Sequence, residues 1–342
     1  MFAYIVRRLL ATIPVMGVVA IFVFSLLYLT PGDPAIIIAG DYATADDIAK
    51  IREKLGLDRP FLVRFGEWLW SILRGDLGIS IFTNLPVSRL IGQRIEPTVA
   101  LTVTTLIVAV SLSVPLGVLA AWKAGRWLDR AVMGFSVLGF SVPIFVLAYL
   151  LIFGFSIGLE ILPVQGYVSI REGFWPFLER LILPSVALGI TYMALIARIT
   201  RASMLEVLSQ DYIRTAQAKG LATDKVLIGH ALKNAAVPII TVIGIGIALL
   251  ISGVVVTETV FAIPGIGRLT VDAILRRDYP VIQGVILLFS AAYVLINLAV
   301  DISYTFLDPR IRYLWRRFPR RHRSRPRPVV GWCATRCAAI RP

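Results

Sequence analysis

Charged residues are scarce in this chain, and their scarcity excludes several classes of protein. Only 16% of the 342 residues are Asp, Glu, Lys or Arg, whereas a soluble domain has about 25%. Hydrophobic residues make up 57% of the chain, and its mean hydropathy is +0.80. This composition excludes a disordered protein and disfavours an ordinary water-soluble enzyme, because long apolar runs indicate an apolar solvent.

Cysteines and catalytic motifs are also lacking. The two cysteines, Cys333 and Cys337, are too few for a disulfide framework, and with one nearby histidine they do not make a metal site. The sequence contains no G-x-x-x-x-G-K-[ST], H-E-x-x-H or G-x-S-x-G pattern, so it offers no phosphate-binding loop or hydrolase site. We therefore predict no catalytic residue, no metal and no cofactor in this chain.

Excess positive charge is confined to the C-terminal end. Residues 1–309 carry 24 basic and 21 acidic residues, whereas residues 310–342 carry 11 arginines and no acid. The net charge of +14 therefore does not indicate a nucleic-acid partner for the body of the chain. Residues 314–342 are rich in Arg and Pro and are predicted to be disordered. They either contact anionic lipid or result from a reading-frame change, and we favour the second interpretation.

Six stretches without Asp, Glu, Lys or Arg predict membrane-spanning helices, each of which needs about 20 apolar residues. They are 9–32, 97–122, 131–159, 181–197, 234–257 and 279–300. Arg7 and Arg8 precede the first stretch as in a signal peptide, but its apolar run is about twice the usual length, so we expect it to be retained. The sequence therefore predicts an all-α, multi-pass membrane protein.

Basic residues near the span ends predict the orientation. They cluster before the first span, between spans 2 and 3, between spans 4 and 5, and after span 6. The other segments, 33–96, 160–180 and 258–278, together carry 13 basic and 15 acidic residues. We therefore expect both termini in the cytoplasm and residues 33–96 outside.

Two helices are predicted in the outward segment. Thr44 and Asp47 resemble a capping box for the first, which would end at Leu55 before Gly56. Pro60 would begin the second, and Gly75 would end it. One face of the second helix is apolar and would lie on the membrane interface or over the bundle. It consists of Phe61, Leu62, Phe65, Trp68, Leu69, Ile72 and Leu73.

Residues 198–233 predict a helix–turn–helix on the cytoplasmic side. A first helix, with Leu205, Tyr212 and Ile213 on one face, would end at Gly220 because glycine adopts positive φ without strain. Thr223 would cap the next helix. Composition alone supports only an amphipathic loop or a small-residue turn that inserts into a partner.

This loop resembles the EAA loop of permease subunits in bacterial ATP-binding-cassette importers. The general pattern is E-A-A, three residues, G, nine residues, I-x-L-P; aligned on Gly220, its acid, isoleucine and final proline are absent. The run Q-D-Y-I-R-T-A-Q-A-K-G-L from Gln210 is instead similar to the dipeptide, oligopeptide and nickel branch. Other stretches resemble the "B" permease of that branch over residues 1–313. They are Y-I-V-R-R-L-L from Tyr4, T-P-G-D-P from Thr30, L-G-L-D-R-P from Leu55, R-G-D-L-G from Arg74, V-F-A-I-P-G-I-G-R-L from Val260 and D-P-R-I-R from Asp308.

The resemblance implies a type I importer permease in the bacterial inner membrane, with a transmembrane domain over 1–313. Its partners would be a second permease, two ATP-binding subunits that hydrolyse ATP, an external solute-binding protein and membrane lipid. The substrate would be a peptide, with nickel or an oligosaccharide as alternatives. An ion-coupled carrier and a membrane anchor are the other hypotheses. The ATPase-coupling residues implied by the EAA loop are Asp211, Tyr212, Thr215, Ala216, Lys219, Gly220 and Leu221.

Overall fold

The computed structural model describes residues 2–29, 35–36, 44–54 and 59–307. In these ranges the regular structure is helical, apart from an isolated β-bridge between Ile79 and Pro86. Their α-helices are α1 (Phe2–Leu29), α2 (Ala45–Lys54), α3 (Phe61–Leu73), α4 (Val87–Trp122), α5 (Trp127–Ser141), α6 (Ile144–Leu151), α7 (Phe174–Leu208), α8 (Asp211–Ala218), α9 (Lys233–Val260), α10 (Ile266–Leu275) and α11 (Tyr279–Leu307). A π-helix, Ile152–Gly158, follows α6, and another, Lys225–Leu232, precedes α9.

The described residues contain enough long apolar helices for the predicted six-span architecture. Five segments, in α1, α4, α7, the helix through α9, and α11, are long and apolar enough to cross a membrane. The pair formed by α5 with α6 and its π-helix makes a sixth span if the pair is counted as one. The all-α, multi-pass membrane fold is therefore confirmed.

The third predicted span is not the continuous helix that residues 131–159 suggest. Helices α5 and α6 meet at an angle of 106°. Val142 between them is extended, with φ −85° and ψ 125°, and Pro143 precedes α6. Proline has no N–H to donate and pushes the residue before it out of the helical region, so the chain turns at this point.

Several helices extend beyond the charge-free runs. Helix α4 begins at Val87 rather than at residue 97, and α7 runs from Phe174 to Leu208. The π-helix before α9 is continuous with it, so that Lys225–Val260 forms one helix of 36 residues. Charged side chains at helix ends reach the membrane surface on long stems, and a charge-free run therefore underestimates helix length.

The main core lies where α4, α7 and α9 meet. Leu101, Leu188 and Leu250, one from each helix, are at most 1% exposed. Gly117 in α4 permits close packing on α7, because a Cβ there would lie 2.6 Å from the Thr200 side chain. Small residues bring membrane helices together in this way.

The long helices join two ends of the bundle. We call the one that carries the 123–126 link, α8 and residues 219–224 the α8 end. The opposite end carries residues 74–86, 159–173 and 261–278, and we call it the α10 end. Helices α4 and α7 run from the α10 end to the α8 end, and α9 runs back.

Both predicted helices of the 33–96 segment are present. Helix α3 follows Pro60, and Gly75 ends it with φ +85°. Phe24 of α1 contacts Phe61, with ring centroids 5.3 Å apart, and also Phe65 and Trp68. The apolar face therefore packs partly on the bundle. Leu62 and Leu73 are more than two-thirds exposed, so these two residues of the face do not pack on it.

Some predicted features lie outside the described residues. They are the T-P-G-D-P run from Thr30, the Gly56 cap, the D-P-R-I-R run from Asp308, the Arg/Pro-rich tail and the two cysteines.

Candidate functional site

Helix α8 is a separate helix of eight residues. The predicted first helix of the loop was expected to continue to Gly220, but α7 ends at Leu208 and Gln210 is extended, with φ −74° and ψ 147°. The Ser209 hydroxyl donates to the Glu206 carbonyl at 2.7 Å. This bond satisfies one of the carbonyls that have no partner within the last turn of α7. Asp211 then begins α8, where its charge complements the helix dipole. The prediction of one continuous helix was wrong.

Gly220 ends α8 as predicted. Its φ is +77°, and its N–H donates to the Gln217 carbonyl at 2.9 Å. The Leu221 N–H donates to the Ala216 carbonyl at 3.3 Å. These two bonds form a Schellman motif, in which glycine avoids the strain of a left-handed residue. A Cβ at Gly220 would meet no atom within 4 Å, so the requirement for glycine is conformational and not steric.

The helix after the turn begins earlier than predicted. The Val226 N–H donates to the Ala222 carbonyl at 3.1 Å, and Thr223 already lies inside the helix. The prediction that Thr223 caps this helix was therefore wrong.

One buried residue anchors α8 to the bundle. Ile213 is 1% exposed and belongs to the same apolar cluster as Met204 of α7 and Val226 of the π-helix. Ala216 and Leu221 pack against this cluster and are half-buried. A force applied to α8 therefore reaches α7 and the long helix Lys225–Val260 through direct packing.

The other face of α8 is exposed and mainly polar. The Asp211 side chain is 97% exposed, and the Tyr212 residue is 43% exposed. The Thr215 hydroxyl donates back to the Asp211 carbonyl at 3.0 Å, which leaves the side chain on the helix surface. Lys219 and Gly220 are exposed at the turn.

The structure thus brings all seven predicted coupling residues to one short helix and its turn, but in two roles. Asp211, Tyr212, Thr215, Lys219 and Gly220 form the exposed surface, which we call the α8 face. Ala216 and Leu221 pack beneath it. Asn234 of α9 donates from Nδ2 to the Tyr212 phenol oxygen at 3.0 Å, and this link joins the α8 face to the long helix.

A buried ion pair near this end was not anticipated from the sequence. The Asp129 side chain is 6% exposed, and its two carboxylate oxygens accept from the Arg201 guanidinium at 2.5 and 2.7 Å. The Gly125 N–H also donates to Asp129, at 2.9 Å. The pair fastens the start of α5 to α7. Asp129 is the only acid in the basic stretch 123–130 between predicted spans 2 and 3, and that isolation was a usable signal.

Polar side chains also cluster at the α10 end. The Glu96 carboxylate accepts from the Tyr167 phenol at 3.1 Å and from the Ser169 hydroxyl at 2.5 Å. Burial and the nearby Glu96 carboxylate raise the pKa of Tyr167 above its usual value, so the phenol stays protonated and donates. The Ser80 hydroxyl donates to buried Asp278 at 2.5 Å. These bonds tie the loops of the α10 end to one another and to α4.

Comparisons with known proteins identify the family. Residues 113–313 match the binding-protein-dependent transport system inner membrane component family, and residues 1–102 match its N-terminal region. The chain is 58% identical over 310 residues to the probable peptide ABC transporter permease protein y4tP of Sinorhizobium fredii (strain NBRC 101917 / NGR234), covering 91% of this chain and 99% of that protein. It is 44% identical over 313 residues to the glutathione transport system permease protein GsiC of Salmonella choleraesuis (strain SC-B67), covering 92% and 100%.

The fold also matches a solved structure. A chain of the MetNI methionine ABC transporter superposes with a TM-score of 0.54 and 18% identity, covering 64% of this chain and 96% of that chain. Together with the membrane helices, these matches show that the chain belongs to the family of binding-protein-dependent transport system inner membrane components, and it is a multi-pass permease subunit of the inner membrane.

Proposed function

We propose that this chain is one permease of an ATP-driven peptide importer and that the α8 face docks on a separate ATP-binding subunit. A second permease completes the translocation path, and an external solute-binding protein delivers the peptide. A single observation supports the docking role. Helix α8 is anchored to the bundle by buried Ile213 and exposes a polar face on its other side. The names of the relatives support a peptide as substrate.

The proposal places the α8 end in the cytoplasm and the α10 end outside. Support comes from the basic residues near the α8 end. Lys123 and Arg126 lie in the 123–126 link and Arg130 follows it, while nearby Asp129 is neutralised by Arg201. An excess of basic residues in short loops favours the cytoplasmic side. ATP-binding subunits are cytoplasmic, so the orientation and the docking role require each other.

The proposed coupling step is mechanical. Closure of two ATP-binding subunits would displace α8 of this chain and the docking helix of the second permease. Because Ile213 is packed in the buried cluster, α7 and Lys225–Val260 would move with α8 rather than slide past it. The permease itself would not hydrolyse ATP; the two ATP-binding subunits would. This coupling role covers the seven residues Asp211, Tyr212, Thr215, Ala216, Lys219, Gly220 and Leu221.

Substitution of Gly220 tests the docking role, and the chain offers a matched control. Gly220 and Gly75 both have positive φ, +77° and +85°, and a Cβ on either would meet no atom within 4 Å. Gly220 lies beside α8, whereas Gly75 lies at the opposite end. Valine at either position strains the turn by about 1 to 3 kcal/mol. Only the strain at Gly220 would disturb the α8 face.

The measurement is a pull-down of tagged chain from membranes solubilised in mild detergent. We expect the wild type and Gly75→Val to recover an ATP-binding subunit and a second permease. Gly220→Val should recover about tenfold less ATP-binding subunit, the loss that about 1.4 kcal/mol produces. Recovery of the wild-type chain alone, or equal losses in both variants, would contradict the docking role.

The substrate class needs a separate test. In a strain without this chain, uptake of a labelled tripeptide should fall to background and return with the wild-type chain. An excess of unlabelled peptide should compete, whereas a nickel salt or a short oligosaccharide should not. Competition by either of these, with normal subunit recovery, would overturn the peptide assignment alone.

A further inference from the structure

A buried carboxylate lies where α9 reaches the α10 end, which the proposal places outside the membrane. It is separate from the coupling residues at the α8 end. Glu258 is 0% exposed. Its Oε1 accepts from the Thr98 hydroxyl of α4 at 2.5 Å, and its Oε2 accepts from the Arg268 N–H of α10 at 2.9 Å. One side chain of α9 thus holds both α4 and α10. Residues 98 and 258 are 160 positions apart, so the contact exists only in the folded chain.

Glu258 and Thr98 act together as the N-terminal cap of α10. That helix follows Gly265, which has no side chain with which to cap it. The Ile266 N–H donates instead to the Thr98 hydroxyl oxygen at 2.8 Å, and the Arg268 N–H donates to Glu258. The first N–H groups of a helix need acceptors and favour a negative charge. Here, the acceptors come from other helices.

The sequence around α10 leaves room for this carboxylate. A Cβ built on Gly265 would overlap the Glu258 carboxyl group, and a Cβ on Gly267 would lie 2.7 Å from the Val255 backbone. The glycines of the P-G-I-G-R run therefore allow α10 to approach α9 closely. The run and Glu258 form one structural unit, which we call the outer joint and define as Thr98, Glu258, Gly265, Ile266 and Arg268.

The helix that carries Glu258 also reaches α8. Lys225–Val260 is one helix of 36 residues, about 54 Å long at a rise of about 1.5 Å per residue. Near its other end, Asn234 bonds Tyr212 of the α8 face, and Val226 shares the buried cluster with Ile213. The same helix therefore contacts the proposed docking element at one end of the bundle and the outer joint at the other.

We infer that Glu258 is a positioning residue of the transport cycle, which fastens α10 and α4 to the outer end of the Lys225–Val260 helix so that displacement of α8 reaches the α10 end. This inference rests on the proposed coupling role of α8. Without the joint, the long helix would still move, but α10 and the Thr98 end of α4 would follow it loosely. ATP hydrolysis would then continue while less peptide was moved for each ATP.

Two threonines of α4 provide a matched test. The Thr98 hydroxyl bonds Glu258 and receives the Ile266 N–H, whereas the Thr102 hydroxyl donates only to the Thr98 carbonyl within its own helix. Thr98→Val breaks the joint and leaves Glu258 in place. Thr102→Val removes the same group one turn away. Thr98→Ser keeps the hydroxyl, and Glu258→Gln keeps the shape of the side chain but replaces one acceptor oxygen with an N–H donor.

The assay measures labelled peptide uptake and ATP hydrolysis together, in proteoliposomes that hold the complete importer with its binding protein. We expect peptide moved per ATP to fall about tenfold in Thr98→Val, which removes both hydrogen bonds of the hydroxyl, and in Glu258→Gln, whose amide nitrogen cannot accept from the Arg268 N–H. Thr98→Ser should restore the ratio, and Thr102→Val should leave it unchanged.

A distance measurement separates positioning from folding. Spin labels at Ile107→Cys in α4 and Ile274→Cys in α10, both exposed positions, would follow the joint in a chain with Cys333 and Cys337 replaced by serine. The wild type should give one narrow distance distribution with and without ATP, and Thr98→Val should give a broad one.

Several outcomes would overturn the inference. Normal coupling and a narrow distribution in Thr98→Val and Glu258→Gln would show that the joint is not needed. Loss of assembled importer in Thr98→Val would assign it to folding instead. Because the Gly220 pull-down tests docking separately, normal docking with normal coupling in these variants would remove the positioning role of Glu258 and leave the proposed function intact.

Discussion

The two ends of the bundle are held together by different interactions. At the α10 end, the carboxylates of Glu96, Glu258 and Asp278 each accept hydrogen bonds from segments far away in the sequence. At the α8 end, the described contacts of α8 are mainly apolar and centre on Ile213, and its outer face is polar and exposed. Hydrogen bonds between distant segments thus hold the α10 end together, whereas the α8 end has an exposed polar face. This difference is the one expected between a joint and a docking site.

The buried pair of Asp129 and Arg201 is the exception at the α8 end, and breaking it should have the largest effect on stability. Arg201→Gln would leave the Asp129 carboxylate buried and without its charge partner. We expect the free energy of unfolding in detergent micelles to fall by about 3 kcal/mol. Arg198→Gln is the matched control, because Arg198 lies one turn away on α7 with an exposed side chain.

A double variant tests whether the unpaired Asp129 charge causes this loss of stability. Asp129→Asn combined with Arg201→Gln removes both charges and should recover part of the loss, since no buried charge then remains unpaired. Equal losses in Arg201→Gln and Arg198→Gln would show that the ion pair does not fasten α5 to α7.

An added methyl group at the α10 end should have an intermediate effect. In Gly265→Ala, the new Cβ would overlap the Glu258 carboxyl group and force α10 away from α9. We expect the free energy of unfolding to fall by about 2 kcal/mol, as overpacking of a dense site typically does. Gly92→Ala in α4 has open space around it and should be neutral or stabilising. If Gly265→Ala were as well tolerated as Gly92→Ala, the outer joint would not be tightly packed.

The smallest effect is expected from the exposed link between α8 and α9. Tyr212→Phe removes the phenol oxygen that accepts from Asn234 at 3.0 Å. Because Tyr212 is 43% exposed, water replaces the lost partner, and the free energy of unfolding should change by about 0.5 kcal/mol or less. Thermal unfolding of the purified chain measures this difference. A change as large as that of Gly265→Ala would mean that α8 is held by polar contacts as well.

Sequence reasoning predicted the spans because charge-free apolar runs reflect the cost of placing charge in a bilayer. The same criterion stopped at residue 257 and so placed Glu258 outside the fifth span, where its burial was not anticipated. Pro143 within the third run allowed a bend, but the 106° break was not predicted, because composition does not distinguish a strongly bent helix from a straight one. The prediction that Gly220 ends the helix was correct, because the need for positive φ is a local property of the turn.

Contacts between distant segments were beyond sequence reasoning. Asp129 and Arg201 are 72 positions apart, and nothing local to either residue identifies the other. The division of the seven coupling residues into an exposed set and a packed pair likewise depends on how α8 lies against the cluster of Ile213. Periodicity predicted a common face for the loop, but the extended Gln210 changed the direction of the second half.

Site-specific photo-cross-linking in intact cells would test the comparison between the two ends most directly. A cross-linking residue at Thr215 reports on the α8 face, and one at Ile274 reports on the α10 end; both positions are exposed. Thr215 should cross-link to an ATP-binding subunit, and Ile274 should not. Capture of the ATP-binding subunit from Ile274, with none from Thr215, would contradict the assignment of the two ends.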